Sequence, residues 1–461
     1  MAAFAPPAPD ATPIWFVSDQ NWPEVKASIG ETAAAFAESC GFKPKAGSLQ
    51  LLPDARGALA GALFGVEPDA SPKRDPLAPG KLSTALPAGV YRLANPTADP
   101  DLAALAFLLA LYRYSRFKSD ESPKPRLVAP DGIDGARVER IAEAIAFGRD
   151  LINAPANVLG PHALEQEAVK LAEGYGAAIS MIRGEDLLPA NFPLIHAVGR
   201  AATERPRIVD FVWGRTDAPK LTLIGKGVTF DTGGLDIKPA SGMELMKKDM
   251  GGAATALTLA RLVMESRLDV RLRVVIPIVE NAISGPAMRP GDVIVSRKGL
   301  AVEIGNTDAE GRLMLADALA LADEEAPELL LDFATLTGAA RVALGPDLPP
   351  LYTDDESLAA GIARCAAAAR DPIWRMPLWG PYEAMIDGTV GDVSNSGTGA
   401  GMAGSITAAL FLKRFVEKAK SWAHFDVYAW NPKPRPYGPA GGEIQAARAL
   451  FDLLDQRYPK R

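Results

Sequence analysis

From residue 154 onward the chain alternates short β-branched runs with long alanine-rich runs of helical spacing. The strand-like runs are residues 178–182, 207–212, 220–224, 270–279, 300–304, 329–334 and 423–427. The helix-like runs are residues 161–175, 252–266, 312–325, 357–370 and 405–418. This alternation predicts an α/β fold with a mixed, mostly parallel sheet flanked by helices. In such folds ligands bind at the carboxyl ends of the strands.

The amino-terminal third predicts a small α/β domain of its own, with strands near residues 14–18, 48–52 and 89–93 and helices near 22–40 and 102–117. The polar, proline-bearing stretch 118–131 is typical of a linker. A helical pattern follows at 136–151. We therefore expect an N-terminal α/β domain at residues 1–130, a connecting helix at 131–153 and a larger α/β domain at 154–461.

Composition restricts location and partners. The net charge of -7 argues against a nucleic-acid partner, which would be bound through Lys and Arg. Two distant cysteines, Cys40 and Cys365, favour a reducing compartment. Residues 1–9 lack the basic start of a secretory signal, and the longest apolar run, 102–112, is shorter than the ~20 residues that span a bilayer. The expectation is a cytoplasmic protein with no membrane partner.

Acidic residues occur at three junctions between predicted strands and helices. The strand that ends at residue 224 leads into a glycine-rich segment that carries Lys226 and Asp231. Asp249 immediately precedes an alanine-rich helix, and Asp308 and Glu310 follow the strand at 300–304. Because such junctions meet at one edge of a parallel sheet, these acids are candidates for a single cluster.

The spacing of the last junction favours metal binding. If residues 308–312 are extended, the side chains of Asp308, Glu310 and Arg312 project to the same side. Crowded carboxylates repel unless positive charge lies between them, and divalent metals with oxygen ligands supply it. The three histidines, His162, His196 and His424, lie outside these segments, so a zinc site of the H-E-x-x-H type is not predicted. Spacing alone does not fix the number of metals.

Several simpler interpretations remain open at this point. The loop around Lys226 could cradle phosphate, although Gly227 stands where the Walker A motif has Ser or Thr. Asp249 alone could cap a helix, and Arg312 could simply pair with a neighbouring acid. His424 lies in a predicted buried strand and is interpreted as structural.

Three segments resemble the signature blocks of the leucyl (cytosol) aminopeptidase family in sequence, order and spacing. They are GKGVTFDTGGLDIK (225–238), MKKDMGGAA (246–254) and NTDAEGRL (306–313). The resemblance continues through LDFATLTGAA (331–340) and AGSITAALFLKRF (403–415) and covers most of residues 150–430. It implies a metal-dependent aminopeptidase that hydrolyses the N-terminal residue from short peptides with a free α-amino group.

The same resemblance implies two divalent metals, Zn or Mn with Mg or Co as further candidates. Lys226, Asp231, Asp249 and Glu310 match the ligands of the more tightly held metal, and Asp231, Asp308 and Glu310 those of the exchangeable one. Lys226 must be neutral to bind, and a nearby dication lowers its pKa. The paired metals would share a bridging hydroxide.

Two non-ligand residues match the family's catalytic positions. Lys238 would stabilise the oxyanion, and Arg312 would hold a bicarbonate ion. The positions that match the family's specificity pocket are Met246, Thr335, Leu336 and Gly338. After His424 the chain reads FDVYAWNPKPRPYGPAGGE, and its proline-rich part departs from the family where residues close that pocket. The preferred N-terminal residue is therefore left open.

The resemblance also implies a homohexamer. The alternative function is a family member with a non-catalytic binding role such as DNA architecture, but no ligand is lost and the chain is acidic. A thiol- or ester-directed hydrolase is not indicated, because the chain has no G-x-S-x-G elbow.

Overall fold

The structure, a computed structural model, describes residues 3–95, 97–119, 121–398 and 401–460. Asp120 of the expected linker and the first two residues of the amino-terminal segment lie outside this part of the chain. There are two compact units, Met1–Ala146 with Lys433–Ala440, and Phe147–Pro432 with Gly441–Arg461. Among the described residues, no helix has the length and apolar character that crossing a membrane requires.

The first unit contains a mixed five-stranded sheet in the order β2-β3-β1-β4-β5, in which β2 alone runs antiparallel to its neighbour. The strands are β1 (Thr12–Val17), β2 (Leu49–Pro53), β3 (Leu59–Gly65), β4 (Gly89–Leu93) and β5 (Pro125–Leu127). The helices are α1 (Trp22–Ile29), α2 (Glu31–Ser39), α3 (Leu82–Ala85) and α4 (Pro100–Ala110), with a 3-10 helix at Ala78–Lys81.

Two expectations about this unit are wrong. The stretch expected to be a linker contains β5, which pairs in parallel with β4. The expected helix over residues 22–40 is two helices, separated at Gly30, whose φ of 82° is not helical. Strand β3 was not predicted, because its sequence LAGALFG lacks the β-branched residues that distinguish a strand from a helix.

Helix α5 (Gly135–Asn153) carries the chain from the first unit into the second. The strands that follow are β6 (Ala178–Arg183), β7 (Arg207–Trp213), β8 (Lys220–Gly225), β9 (Gly227–Asp231), β10 (Arg271–Asn281), β11 (Val293–Val295), β12 (Ala301–Glu303), β13 (Leu329–Ala334), β14 (Pro350–Tyr352), β15 (Trp374–Arg375), β16 (Val393–Ser394), β17 (Trp422–Asp426), β18 (Trp430–Asn431) and β19 (Gly441–Gly442). The helices are α6 (Pro161–Gly174), α7 (Pro193–Gly199), α8 (Ala240–Met243), α9 (Gly251–Glu265), α10 (Glu310–Asp323), α11 (Gly338–Leu344), α12 (Glu356–Ala369), α13 (Gly404–Lys413) and α14 (Ala447–Arg457). The 3-10 helices are Gly184–Leu187, Met246–Met250 and Gly380–Ile386.

The main sheet has the order β15-β14-β17-β13-β8-β10-β7-β6, and β9 continues beside β10. Strands β17, β13, β8 and β10 are parallel, whereas β14, β7 and β6 pair antiparallel toward the two edges. The predicted mixed, mostly parallel sheet with flanking helices is confirmed. Every residue of β13 is buried, as expected of a parallel strand that helices cover on both faces.

The helices that follow the central strands approach the sheet very closely at one edge. A β-carbon on Gly252, at the start of α9, would lie 2.1 Å from the carbonyl oxygen of Phe333 in β13. The backbone N–H of Lys226, just after β8, also donates to this carbonyl at 2.9 Å. The carboxyl ends of β8 and β13 and the start of α9 therefore meet in one small region.

Candidate functional site

The four acids from the three junctions are brought together at this edge. Asp231 ends β9, Asp249 lies in the 3-10 helix Met246–Met250, Asp308 is in the turn before α10, and Glu310 begins α10. Carboxylate oxygens of Asp231, Asp308 and Glu310 lie within 4.8 Å of one another. Asp249 is connected to Glu310 through Lys226, whose Nζ lies 2.7 Å from Asp249 Oδ2 and 2.8 Å from Glu310 Oε1.

Two local expectations are corrected here. Residues 308–312 are not extended, because α10 begins at Glu310, and Arg312 points away from that acid around the helix. The glycine-rich segment after β8 is not wholly a loop, since Gly227 and Val228 in β9 pair with Ile278 and Val279.

Lys226 is 2% exposed and is surrounded by acceptors. Besides its two carboxylate contacts, its Nζ donates to the main-chain carbonyl of Thr335 at 3.0 Å. Burial lowers the pKa of Lys226, but the charges of Asp249, Glu310 and Asp231 outweigh burial and raise the pKa above its ordinary value. The carboxylates thus create a site that strongly favours positive charge.

Lys238 makes the corresponding contacts on the other side of the cluster. Its Nζ lies 2.8 Å from Asp231 Oδ2 and forms an ion pair with Asp308. Burial opposes its charge, but Asp231 leads the effects that raise the pKa of Lys238. Burial, followed by the charge of Asp231, raises the pKa of Asp308 to about 7.

Neighbouring polar groups fix the orientation of two of the acids. Asp231 Oδ1 accepts from Asn281 Nδ2 at 2.8 Å and from the Gly233 N–H at 2.9 Å. Asp249 Oδ1 accepts from Thr335 Oγ1 at 2.7 Å. Asn281 was not singled out from the sequence, because it lies fifty positions from Asp231 and belongs to none of the motifs.

The donor set fits divalent cations. Glu310 Oε2 is buried and has no hydrogen-bond partner among the residues that the structure describes. A buried carboxylate oxygen without a partner is destabilising unless an ion or water satisfies it. Oxygen ligands from several carboxylates suit hard divalent ions.

Arg312, in the first turn of α10, makes its hydrogen bond outside the acid cluster. Its guanidinium donates from Nη1 to the Asn395 carbonyl at 2.6 Å, and Nε has no partner among the described residues. Burial lowers its pKa to about 10, so the side chain is cationic at neutral pH. Within the described residues it forms no ion pair with Asp308 or Glu310, so the simple pairing interpretation is wrong.

The helix-cap interpretation of Asp249 is also wrong. Met250 is the N-cap residue of α9 and makes no side-chain cap. Both carboxylate oxygens of Asp249 instead face Lys226 and Thr335.

The predicted pocket residues lie around the same strand ends. Met246 begins the 3-10 helix that contains Asp249, and Gly338 begins α11. Thr335 and Leu336 follow β13.

The loop that carries Thr335 and Leu336 is held by Asp426 at the end of β17, which is a contact that the motifs did not indicate. Asp426 Oδ1 accepts from the Leu336 N–H at 2.9 Å and the Thr337 N–H at 3.2 Å, and Oδ2 accepts from Thr337 Oγ1 at 2.6 Å.

His424 is fully buried in β17, away from the acid cluster. Its Nδ1 lies 2.5 Å from Asp332 Oδ1, and Trp422 Nε1 donates to Asp332 Oδ2 at 2.8 Å. Burial disfavours the charged imidazole, but the charge of Asp332 raises the pKa of His424. This network joins β13 to β17, in agreement with a structural role.

The profile of the cytosol aminopeptidase family, catalytic domain, matches residues 146–451, and that of the M17 aminopeptidase N-terminal domain matches residues 12–130. A probable cytosol aminopeptidase of Synechococcus sp. is 39% identical over 375 residues, which are 78% of this chain and 76% of the relative. One from Nitratidesulfovibrio vulgaris is 41% identical over 374 residues, which are 76% of this chain and 73% of the relative.

Solved structures are similar over nearly the whole chain. The cytosol aminopeptidase of Coxiella burnetii superposes with a TM-score of 0.94 at 42% identity and covers 99% of this chain and 100% of its own. The bottromycin maturation enzyme BotP, in complex with Mn, has a TM-score of 0.86 at 31% identity and covers 98% of this chain and 100% of its own.

Proposed function

The chain belongs to the cytosol aminopeptidase family, a family of peptidases, and on that premise we propose that it removes the N-terminal residue from short peptides with a free α-amino group, using two divalent metals. The observation that carries this proposal is the meeting of Asp231, Asp308 and Glu310 around a buried carboxylate oxygen without a partner. Because Zn and Mn both accept carboxylate ligands, either is a candidate, with Mg or Co as further candidates. The Mn complex of BotP supports a divalent ion at this site.

The match of the motifs to the family supports a division of the ligands between two metals. Lys226, Asp231, Asp249 and Glu310 would hold one metal, and Asp231, Asp308 and Glu310 the other. When bound, the two metals would lower the pKa of a shared water toward neutrality and so supply a hydroxide nucleophile. Lys226 would bind in its neutral form, so metal uptake releases its proton.

Lys238 and Arg312 would act as cations in the reaction. Lys238 Nζ already lies at the open side of the cluster, beside Asp231 and Asp308, where an ammonium can stabilise the oxyanion of the tetrahedral intermediate. Arg312 remains protonated and cannot accept a proton itself. Its unpartnered Nε supports a role in holding bicarbonate, which would take up and release the proton.

The substrate pocket would be lined by Met246, Thr335, Leu336 and Gly338. We retain the organisation into a domain at 1–130, a connecting helix at 131–153 and a catalytic domain at 154–461, together with a cytoplasmic location and a homohexamer. Light scattering of the purified protein checks the assembly, because a monomer would contradict the hexamer.

The activity is tested with leucyl p-nitroanilide and its N-acetylated form, after chelation and after addition of Mn²⁺ or Zn²⁺. We expect hydrolysis of the free amine alone, its loss on chelation and its recovery with metal. Inactivity with every metal would refute the enzyme proposal. Equal cleavage of the acetylated substrate would refute the requirement for a free amine.

A further inference from the structure

Two cations contact one aromatic ring beside the predicted substrate pocket. Lys248 Nζ lies 4.9 Å from the centre of the Tyr428 ring, and Arg341 Cζ lies 5.0 Å from the same centre. We call Lys248 and Arg341 the cationic pair. Tyr428 belongs to the segment after His424, within which the sequence departs from the family.

The geometry places the Arg341 guanidinium at the pocket. A β-carbon on Gly338, a predicted pocket residue, would lie 3.4 Å from Arg341 Nη2. Arg341 is in the last turn of α11 and is exposed, so its charged group can reach a ligand. The guanidinium therefore flanks the pocket wall that Gly338 forms.

Lys248 approaches the same place from another element. It lies in the 3-10 helix Met246–Met250, between the predicted pocket residue Met246 and the candidate metal ligand Asp249. The segment that carries Tyr428 also packs against the pocket, because a β-carbon on Gly251 would lie 2.2 Å from Ala429 Cβ and 3.1 Å from Thr335 Cγ2. Two separate elements, the 3-10 helix Met246–Met250 and α11, thus each bring a cation to the Tyr428 ring.

The cationic pair makes no direct ion pair in the described part of the chain, and Asp249 and Asp426 act on Lys248 only through their charge. Lys248 is 3% exposed, yet neither it nor Arg341 forms a salt bridge with a described residue. The nearby carboxylates are engaged elsewhere, Asp249 by Lys226 and Asp426 by the loop after β13. Because a buried charge without a partner is destabilising, the arrangement is suited to an incoming anion.

We propose that Lys248 and Arg341 recognise a carboxylate of the substrate at the edge of the pocket, an inference that rests on the proposed aminopeptidase function. A guanidinium and an ammonium that both contact the Tyr428 ring can each bind a carboxylate through charge-assisted hydrogen bonds. The carboxylate is either the side chain of an N-terminal Glu or Asp, or the terminal carboxylate of a dipeptide. In either case, kcat/KM should be higher for the anionic substrate than for its neutral amide.

The test compares anionic substrates with neutral substrates of the same shape, using the full-length protein with Mn²⁺. Glutamyl and glutaminyl p-nitroanilides report on a side-chain carboxylate, and Leu-Gly and Leu-Gly amide on a terminal one. Each pair is assayed with the unmodified protein, Lys248→Met and Arg341→Met. The control is Lys247→Met, because Lys247 Nζ donates to the Asn153 carbonyl at 2.7 Å and contacts Trp430 instead of Tyr428.

We expect kcat/KM to favour the anion in one substrate pair by about tenfold, and each variant of the cationic pair to reduce that preference several-fold. The kcat/KM for leucyl p-nitroanilide should be nearly the same in both variants as in the unmodified protein. The Lys247→Met protein should match the unmodified protein with every substrate. If Lys248→Met does not fold, the exposed Arg341→Met carries the test. If leucyl p-nitroanilide is hydrolysed but neither anionic substrate is preferred over its amide, this inference is overturned and the proposed function is not. The same holds if an anion is preferred and neither Lys248→Met nor Arg341→Met changes the preference. Inactivity toward every substrate overturns the proposed function and this inference with it.

Discussion

The Lys226 side chain crosses directly over the α-carbon of Gly311, so that a β-carbon there would lie 2.6 Å from Lys226 Cε and 2.8 Å from Nζ. Gly311 is the second residue of α10, where alanine would otherwise favour the helix by about 0.5–1 kcal/mol. We therefore expect Gly311→Ala to displace the Lys226 ammonium and to lower kcat/KM about tenfold or more.

The control for this variant is Gly174→Ala, in the last turn of α6, where no atom lies within 4 Å of the new methyl group. Circular dichroism and kcat/KM are measured for both variants. If the Gly311→Ala protein folds and keeps full activity, catalysis does not depend on the position of the Lys226 ammonium.

Glu310 is expected to be required for metal binding, because it provides both a partner for Lys226 and the unpartnered Oε2. Glu310→Gln removes its charge and should lower activity about 100-fold or more. Bound Mn²⁺ measured by mass spectrometry should fall, and the rise in melting temperature that Mn²⁺ gives to the unmodified protein should disappear. Glu265→Gln, on the surface of α9 beside Arg261, is the matched control. Unchanged metal content in Glu310→Gln would remove this residue from the ligand set.

Asp426 is predicted to position the pocket loop without contacting the metals. Asp426→Ala leaves the N–H groups of Leu336 and Thr337 without their acceptor, which typically destabilises a protein by about 1–3 kcal/mol. We expect KM for leucyl p-nitroanilide to rise about tenfold, while the metal content stays constant. The control, Asp323→Ala, removes a similar acceptor of main-chain N–H groups at the far end of α10 from Glu310. An equal rise in KM in both variants would mean that the effect is general destabilisation.

Glu165 is expected to contribute to stability in a pH-dependent way. Burial raises the pKa of Glu165, but hydrogen bonds from Arg183 and the charge of Arg207 outweigh burial and leave the pKa below its ordinary value. Because the pKa of Glu165 is lower in the folded state than the value of about 4.3 in the unfolded state, its charged form stabilises the fold at pH values above 4.3. That stabilisation is lost as pH falls through the pKa of the folded state. Glu165→Gln should therefore reduce the free energy of unfolding by about 3 kcal/mol at pH 7, and by progressively less below pH ~4.

Urea unfolding at pH 7 and pH 3 measures this difference. Glu173→Gln, exposed on the same helix, should match the unmodified protein at both values. If the stability difference between Glu165→Gln and the unmodified protein does not change with pH, the charge of Glu165 is not the source of the stabilisation.

Predictions from the sequence were accurate where the pattern is local. All seven strand-like runs after residue 154 form strands within a few residues, and the three acid-bearing junctions meet at one sheet edge. Strand β9 was missed because glycine-rich sequence has little strand preference, and its pairing with β10 depends on residues about fifty positions away. The start of α10 at Glu310 was missed because no side chain caps this helix.

The sequence by itself determined the α/β class, the family and the acids available for a metal site, because these depend on periodicity and on short motifs. Only the tertiary structure decided how the charges are paired. It placed Lys226 with Asp249 and Glu310, Lys238 with Asp231, and left Lys248 without a direct ion pair among the residues that the structure describes. Such pairing depends on the packing of residues that are far apart in the chain, as in the contact between Lys226 and Thr335, which are 109 positions apart.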